Sequence, residues 1–296
     1  MTLVTQIKAA ERWWLGIAAF VVLALVGLAQ YLPMRREAAL QTRLELLAPL
    51  GSAVEVPCAQ LAARRPLVLL ALGQSNAGNH GAPSSNANAS VRTLKPITVI
   101  SDGKCVQARD PLPGATGQGA SIWPRLVALL QQDPHDRSVV VSVLALDAST
   151  IDEWTRPTSP LRSRLTRQLA SMKQLGMPPD AILWQQGEAD ARSGTTAAQY
   201  ADRLDLLANV LTQSGIMAPI YLAKSTVCRS PPSEPIRSAI DARVAQTGRW
   251  LRGPDTDTLH DAQLRDVGCH FSAAGLEAAA HLWAKALNCE TCAARN

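Results

Sequence analysis

Four short apolar runs recur along the chain, and each one ends in a polar turn. They are Pro66-Leu67-Val68-Leu69-Leu70-Ala71, Val139 to Leu146, Ala181-Ile182-Leu183-Trp184-Gln185-Gln186, and Ile220-Tyr221-Leu222-Ala223. Their length and flanking residues predict buried strands. Ile97 to Ile100 and Cys105 to Gln107 predict a hairpin around Ser101-Asp102-Gly103-Lys104. Helical spacing lies between the runs. Ile122, Leu126, Leu129 and Leu130 share one face, and Leu161 to Leu175 is stopped by Pro178-Pro179. Ala197 to Gln213 and about Ser233 to Gln246 follow, and a last helix covers Ser272 to Leu287 behind a serine N-cap. Strands alternating with helices predict an α/β, three-layer sandwich whose mostly parallel central sheet is flanked by helices. In such sheets ligands bind beyond the carboxyl ends of the strands. The polar clusters fall there: Ser75 after the first run, Ser149 after the second, Gln186 to Asp190 after the third.

The amino terminus follows a different pattern. Trp13 to Leu32 is a twenty-residue apolar stretch interrupted only by Gln30, with aromatic residues near both ends. That is about the length needed to cross a bilayer. Residues 1–34 are therefore expected to be a transmembrane helix acting as a signal anchor. A secretory signal cut after Gly27-Leu28-Ala29 is the alternative. Residues 35–65 are expected to be a stalk and linker, with a helix over Arg35 to Leu47. Residues 66–288 form the expected catalytic domain and 289–296 a tail. These expectations place the domain outside the cytoplasm, periplasmic or extracellular, held at the membrane through the amino-terminal helix, or secreted if the signal is cleaved.

Cysteine usage agrees with export. All six cysteines follow the apolar stretch, and an even number behind an export signal predicts disulfides. Six cysteines allow fifteen pairings and the sequence does not select one; Cys58–Cys105, Cys228–Cys269 and the local pair Cys289–Cys292 are taken as the expectation. One C-x-x-C without a second pair or a nearby histidine is not zinc spacing. Nor does Cys289-Glu290-Thr291-Cys292, at the tail, open a helix after a strand as a redox motif would. The net charge of +5 raises the question of a polyanion partner, but Arg35-Arg36 and Arg64-Arg65 are only pairs in a dispersed set. No nucleic-acid partner is expected.

The candidate chemistry centres on Leu72-Gly73-Gln74-Ser75-Asn76-Ala77-Gly78-Asn79-His80-Gly81. Glycines where a strand breaks into a turn can lift a serine hydroxyl clear of the sheet edge. Such a serine needs a base and oxyanion donors. Of five histidines, His281 lies within the last helix, and His135 sits in a turn at the far end of the sheet. His80 is separated from Ser75 by a flexible turn, and His260 is the main rival. His270 is the best candidate, because it stands just before the last helix with Asp266 upstream in the same loop. An acid so placed can fix the imidazole tautomer and leave the other ring nitrogen facing the serine.

These blocks resemble the SGNH hydrolases, in particular their sialate O-acetylesterase-like (SASA) carbohydrate esterase branch. Gly73-Gln74-Ser75-Asn76 resembles the nucleophile turn, and Trp184-Gln185-Gln186-Gly187-Glu188-Ala189-Asp190 resembles the W-x-Q-G-E-x-D segment. His270-Phe271-Ser272-Ala273-Ala274-Gly275 is similar to the tail of the D-x-x-H block, and Ser149-Thr150-Ile151-Asp152-Glu153-Trp154 to the S/T-I-x-x-W segment. The resemblance implies Ser75 as nucleophile, His270 as base and Asp266 as acid. It gives Gly119 (Gly117 as alternate) and Gln186 as oxyanion donors. Gln74, Asn76, Ser149 and Glu188 complete the expected substrate pocket, with Glu188 and Asp190 holding loops rather than reacting. Asp266 departs from the pattern, standing four residues before His270 instead of three, so Asp255, Asp257 and Asp261 remain open as substitutes. The implied activity is removal of O-acetyl groups from a carbohydrate without metal or cofactor. A non-catalytic carbohydrate-binding or envelope-scaffold module and an O-acetyltransferase are the alternatives.

Overall fold

The protein, seen in a computed structural model, is described over residues 3–82, 94–132, 137–246 and 248–291. His135 and Cys292 fall outside the described residues, and with Cys292 the expected Cys289–Cys292 pair. The chain divides into two compact units, Met1–Arg43 and Leu44–Asn296.

The first unit is built on helix α1, Leu3–Leu44, which runs for 42 residues and contains Pro33. The expected transmembrane segment is not upheld. Among the described residues no helix is long and apolar enough to cross a membrane. The apolar stretch is one part of a longer helix of mixed character, with Lys8, Glu11 and Arg12 before it and Arg35, Arg36 and Glu37 behind it.

The second unit is α/β. In chain order its elements are β1 (Val54–Val56), α2 (Cys58–Ala63), β2 (Leu67–Gly73), β3 (Ile97–Ser101), β4 (Lys104–Ala108), α3 (Trp123–Leu130) and β5 (Val139–Ala145). Then come α4 (Ile151–Thr155), α5 (Pro160–Gln174), β6 (Ala181–Gln185), α6 (Glu188–Arg192), α7 (Ala197–Gln213) and β7 (Ile220–Lys224). The chain closes with α8 (Glu234–Val244), β8 (Trp250–Asp255), the short strands β9 (Arg265–Asp266) and β10 (His270–Phe271), and α9 (Ala273–Thr291).

Eight strands form one sheet in the order β1-β4-β3-β5-β2-β6-β7-β8. The sheet is mixed, which corrects the mostly parallel expectation at one edge. From β3 to β8 neighbouring strands run parallel, but the β3–β4 hairpin turns the chain back, and β1 adds antiparallel to β4. The central strands β2, β5 and β6 are buried along their whole length, apart from the partly covered Leu67 at the start of β2. Unbroken apolar strands need cover on both faces. α3 packs on α9, with Trp123 and Trp283 centred 6.1 Å apart. α4 packs on α5 and α7, and α7 on α8.

Strand β2 lies between β5 and β6, where the strand order reverses. This is the place where an open α/β sheet leaves a crevice. Gly73 ends β2 with φ of 155°, and a Cβ there would stand 2.0 Å from the Gln185 carbonyl oxygen. Only glycine lets β2 leave the sheet so close to β6. Two disulfides staple the unit: Cys58–Cys105 joins α2 to β4, and Cys228–Cys269 joins the segment after β7 to the turn before β10.

Candidate active site

Ser75 opens a short 3-10 turn, Ser75–Ala77, directly off β2, and is buried. Its hydroxyl meets no hydrogen-bond partner among the described residues. The turn is held from several sides. Trp123 Nε1 donates to the Ala77 carbonyl at 2.7 Å, and Gln185 Nε2 to the Asn76 carbonyl at 3.2 Å. Asn76 Nδ2 donates to Glu188 Oε1 at 2.7 Å and to the Cys269 carbonyl at 3.3 Å. β10, which carries His270, packs against this same turn. Ala82 N–H donates to the Phe271 carbonyl at 2.9 Å, a second tie between the two segments.

The loop before α9 is shaped by Arg265, a buried cation whose role had no signature in the sequence. Its guanidinium donates to the carbonyls of Leu259 (2.6 Å), Thr256 (2.9 Å), Val227 (3.3 Å) and Cys269 (2.5 Å) and lies over the Phe271 ring. Burial lowers its pKa from the usual value, but the carbonyls and the acids Glu188 and Asp257 favour the charge. The Arg229 N–H donates to the Gly268 carbonyl, and the Cys228–Cys269 disulfide closes the same corner. His270 is thereby fixed at the mouth, half-buried. Burial, then the neighbouring His80, holds its pKa below the ordinary histidine value, while Asp147 pulls it up.

Asp266, the acid the resemblance implies, makes no hydrogen bond to the His270 ring among the described residues. Asp266 pairs with His270 across the β9–β10 ladder, and its side chain is exposed. The extra residue in the loop is absorbed by a tight turn in which Val267 and Gly268 both have positive φ and Cys269 N–H bonds back to the Asp266 carbonyl. The substitutes are also committed elsewhere. Asp257 accepts from Thr226, Val227 and Arg237, and Asp255 from Arg237. Asp261 is exposed. Instead the structure brings together His80, Asp147 and His270, whose ring nitrogens and carboxylate oxygen lie within 4.8 Å of one another. The His80 and His270 rings are centred 5.0 Å apart. Thr116 Oγ1 contacts His80 Nε2 at 3.2 Å and accepts the Asp147 N–H at 2.8 Å. Burial lowers the His80 pKa, opposed by Asp147. His260 is exposed, its Nδ1 against the Asp257 carbonyl, and His281 is exposed on α9.

The expected oxyanion donors are engaged inside the protein. Gln186 is fully buried, and its amide nitrogen lies 2.9 Å from the Ser149 carbonyl, 2.6 Å from Asp190 and 3.3 Å from Gln74 Oε1. Its own oxygen accepts from Tyr200 at 2.9 Å. Two hydrogens facing three internal acceptors leave none for a substrate. The Gly119 N–H donates to the Asn79 carbonyl at 2.7 Å. A Cβ on Gly119 would stand 2.2 Å from the Gly81 oxygen, so this glycine serves the close passage of two loops. Gln74 Oε1 accepts the Ala189 N–H, and Ser149 Oγ accepts Trp154 Nε1 at 3.0 Å. Both build the wall of the site. Glu188 is buried beneath the serine turn, accepting from Asn76 and from Ser225 (2.9 Å) through one oxygen. Burial pushes its pKa up to about 7.

Comparison with known proteins identifies the family of this domain. The carbohydrate esterase, sialic acid-specific acetylesterase family matches residues 66–288. No curated protein sequence matches the chain. Among solved structures, a protein from Arabidopsis thaliana is similar at 17% identity and TM-score 0.58, covering 75% of this chain and 97% of its own. A carbohydrate acetylesterase from Xanthomonas citri is similar at 13% identity and TM-score 0.50, covering 74% of this chain. This chain spans only 55% of that protein's length. NanS is similar at 14% identity and TM-score 0.50, covering 74% of this chain and 95% of its own. At these identities the structural likenesses speak for the fold, and the family match speaks for the chemistry. The chain belongs to the sialic acid-specific acetylesterase family of carbohydrate esterases, an SGNH-like family, and is a carboxylic ester hydrolase.

Proposed function

We propose that the protein removes O-acetyl groups from a carbohydrate through an acyl-enzyme on Ser75. His270 acts as general base, and Asp147 is the carboxylate that steadies it. The observation that carries this reading is the hydrogen bond from Asn76 to the Cys269 carbonyl, with β10 packed on the serine turn. It ties the residue after the serine to the residue before the imidazole. The Ser75 hydroxyl attacks the ester carbonyl as His270 accepts its proton, and the sugar alcohol leaves with that proton. Water, deprotonated by His270, then releases acetate. A histidine held below its usual pKa is neutral at pH 7, the form a base requires. The Ser75 N–H is available to the developing oxyanion, whereas Gln186 and Gly119 serve it only by holding the turn and its neighbouring loop in place.

Asp147 takes over from Asp266 because position in space matters and position in the chain does not. The substrate alcohol is a sugar by family membership. Two disulfides favour an oxidising compartment outside the cytoplasm. The test is acetate release from a chromogenic acetyl ester. Ser75→Ala is expected to abolish it with the fold intact, and near-normal turnover by that variant would end the proposal.

A further inference from the structure

We propose that His80, Asp147 and His270 form a binding site for Zn²⁺, and that the ion switches the esterase off by occupying its base. Two imidazoles and one carboxylate with a fourth position open to solvent are a ligand set this ion favours. Their donor atoms already lie within 4.8 Å of one another. Tetrahedral coordination at Zn–N distances of about 2.0–2.1 Å needs neighbouring donors roughly 3.3 Å apart. Closing that gap takes small side-chain rotations, and all three residues have room, since the histidines are half-buried and Asp147 is exposed. The site has a supporting contact of the kind metal sites use. The Thr116 hydroxyl holds the His80 ring and the Asp147 backbone together, at 3.2 and 2.8 Å. The three segments cannot drift apart, because the His80 loop is bonded to the loop carrying Thr116 and the His270 loop is closed by Cys228–Cys269.

No step of the ester cleavage uses the ion. When Zn²⁺ takes the His270 nitrogen on the Asp147 side, the neutral ring keeps its hydrogen on the other nitrogen, which then has no lone pair to accept the serine proton. Inhibition therefore rests on the proposed role of His270, but binding does not.

The experiment uses the full chain and separates the two. Calorimetric titration of the Ser75→Ala protein with Zn²⁺ measures binding where no turnover is possible, and one saturable ion per chain at micromolar concentration is expected. His80→Gln in the same background is expected to weaken it about 100-fold or more, since even outer contacts of metal sites cost 10–100-fold when lost. In the otherwise unaltered enzyme, Zn²⁺ is expected to suppress acetyl ester hydrolysis and a chelator to restore it. His80→Gln is expected to lose the inhibition, read as the ratio of its own turnover with Zn²⁺ to its turnover without the ion. Asp147→Asn, at an exposed position, gives a second reading of binding if His80→Gln fails to fold. Absence of saturable binding, or binding unmoved by these substitutions, overturns the site. Binding at the trio without inhibition leaves the site and overturns its control of the esterase.

Discussion

Asn76 donates its side-chain amide to the carbonyl of Cys269 across 193 positions of sequence, at 3.3 Å. One residue lies just after Ser75 and the other just before His270. The same Asn76 nitrogen reaches Glu188 at 2.7 Å, so one amide joins the serine turn, the base loop and the start of α6. Arg265 and the Cys228–Cys269 disulfide hold the base loop from the other side. The catalytic geometry proposed here is thus a property of how three loops are bound to one another.

If Asp147 steadies His270, Asp147→Asn should lower kcat/KM by about 10²–10⁴, while Asp266→Asn stays close to the parent. The pH profile adds a sign. Asp147 raises the His270 pKa, so its loss should move the acidic limb of kcat/KM to still lower pH. Asp147→Glu should recover part of the rate. A large loss confined to Asp266→Asn would restore the acid that sequence alone suggests.

Gln186→Ala should damage the fold as well as the rate. It removes the donor for Ser149 and Asp190 and the acceptor for Tyr200, all buried. Tyr200 keeps the Gln186 backbone carbonyl and Asp190 keeps Ile151 and Thr195, so the equivalent of one or two groups is orphaned at about 1–3 kcal/mol each, and a loss of roughly 2–4 kcal/mol is expected in urea denaturation. Slow turnover with unchanged stability would instead mark Gln186 as an oxyanion donor.

Glu188 gives the fold a pH dependence. Its pKa in the folded protein, about 7, lies above the ordinary 4.5. As pH rises from about 4.5 to 7, the unfolded chain gives up this proton first, so stability falls, by roughly 3 kcal/mol at most. One oxygen of Glu188 and Oδ1 of Asn76 are both buried without partners among the described residues. A neutral carboxyl, or an amide, can serve both. Glu188→Gln should therefore be more stable than the parent at pH 8 and much closer to it at pH 5. The lowered histidines shift stability in the opposite direction, but equally in both proteins, so the comparison isolates Glu188. Equal pH dependence in the two would contradict this.

Breaking Cys228–Cys269, through the paired change to alanine, should cost about 2–4 kcal/mol of stability. It should also slow turnover beyond that, because Cys269 adjoins His270. Breaking Cys58–Cys105, at the far edge of the sheet, should change stability and leave kcat/KM near the parent value. Equal kinetic effects from both would detach the base loop from its staple.

The elements were largely legible from pattern. The four buried strands, the β3–β4 hairpin and α7 follow from unbroken or periodic apolar positions, and two disulfides pair as expected. β8 was not, because Arg252-Gly253-Pro254-Asp255 reads as polar coil; a sheet edge tolerates it. At the site, the serine turn and the imidazole stand out because their residue types are chemically specific. Asp147 does not, although it ends a predicted strand at the expected rim, since one extra exposed aspartate there has no signature of its own. Arg265 was hidden because its partners are carbonyls, which every residue carries. The length of the apolar stretch at the amino terminus also misled: a run of apolar residues long enough for a bilayer belongs here to a longer helix of mixed composition.

The most direct test of the account is covalent labelling by a fluorophosphonate, with the modified peptide located by mass spectrometry. The probe is expected to react at Ser75 in the parent protein and to lose nearly all of that reaction in His270→Ala, with the fold intact by circular dichroism. Labelling of a different serine, or Ser75 labelling that persists undiminished without His270, would contradict it.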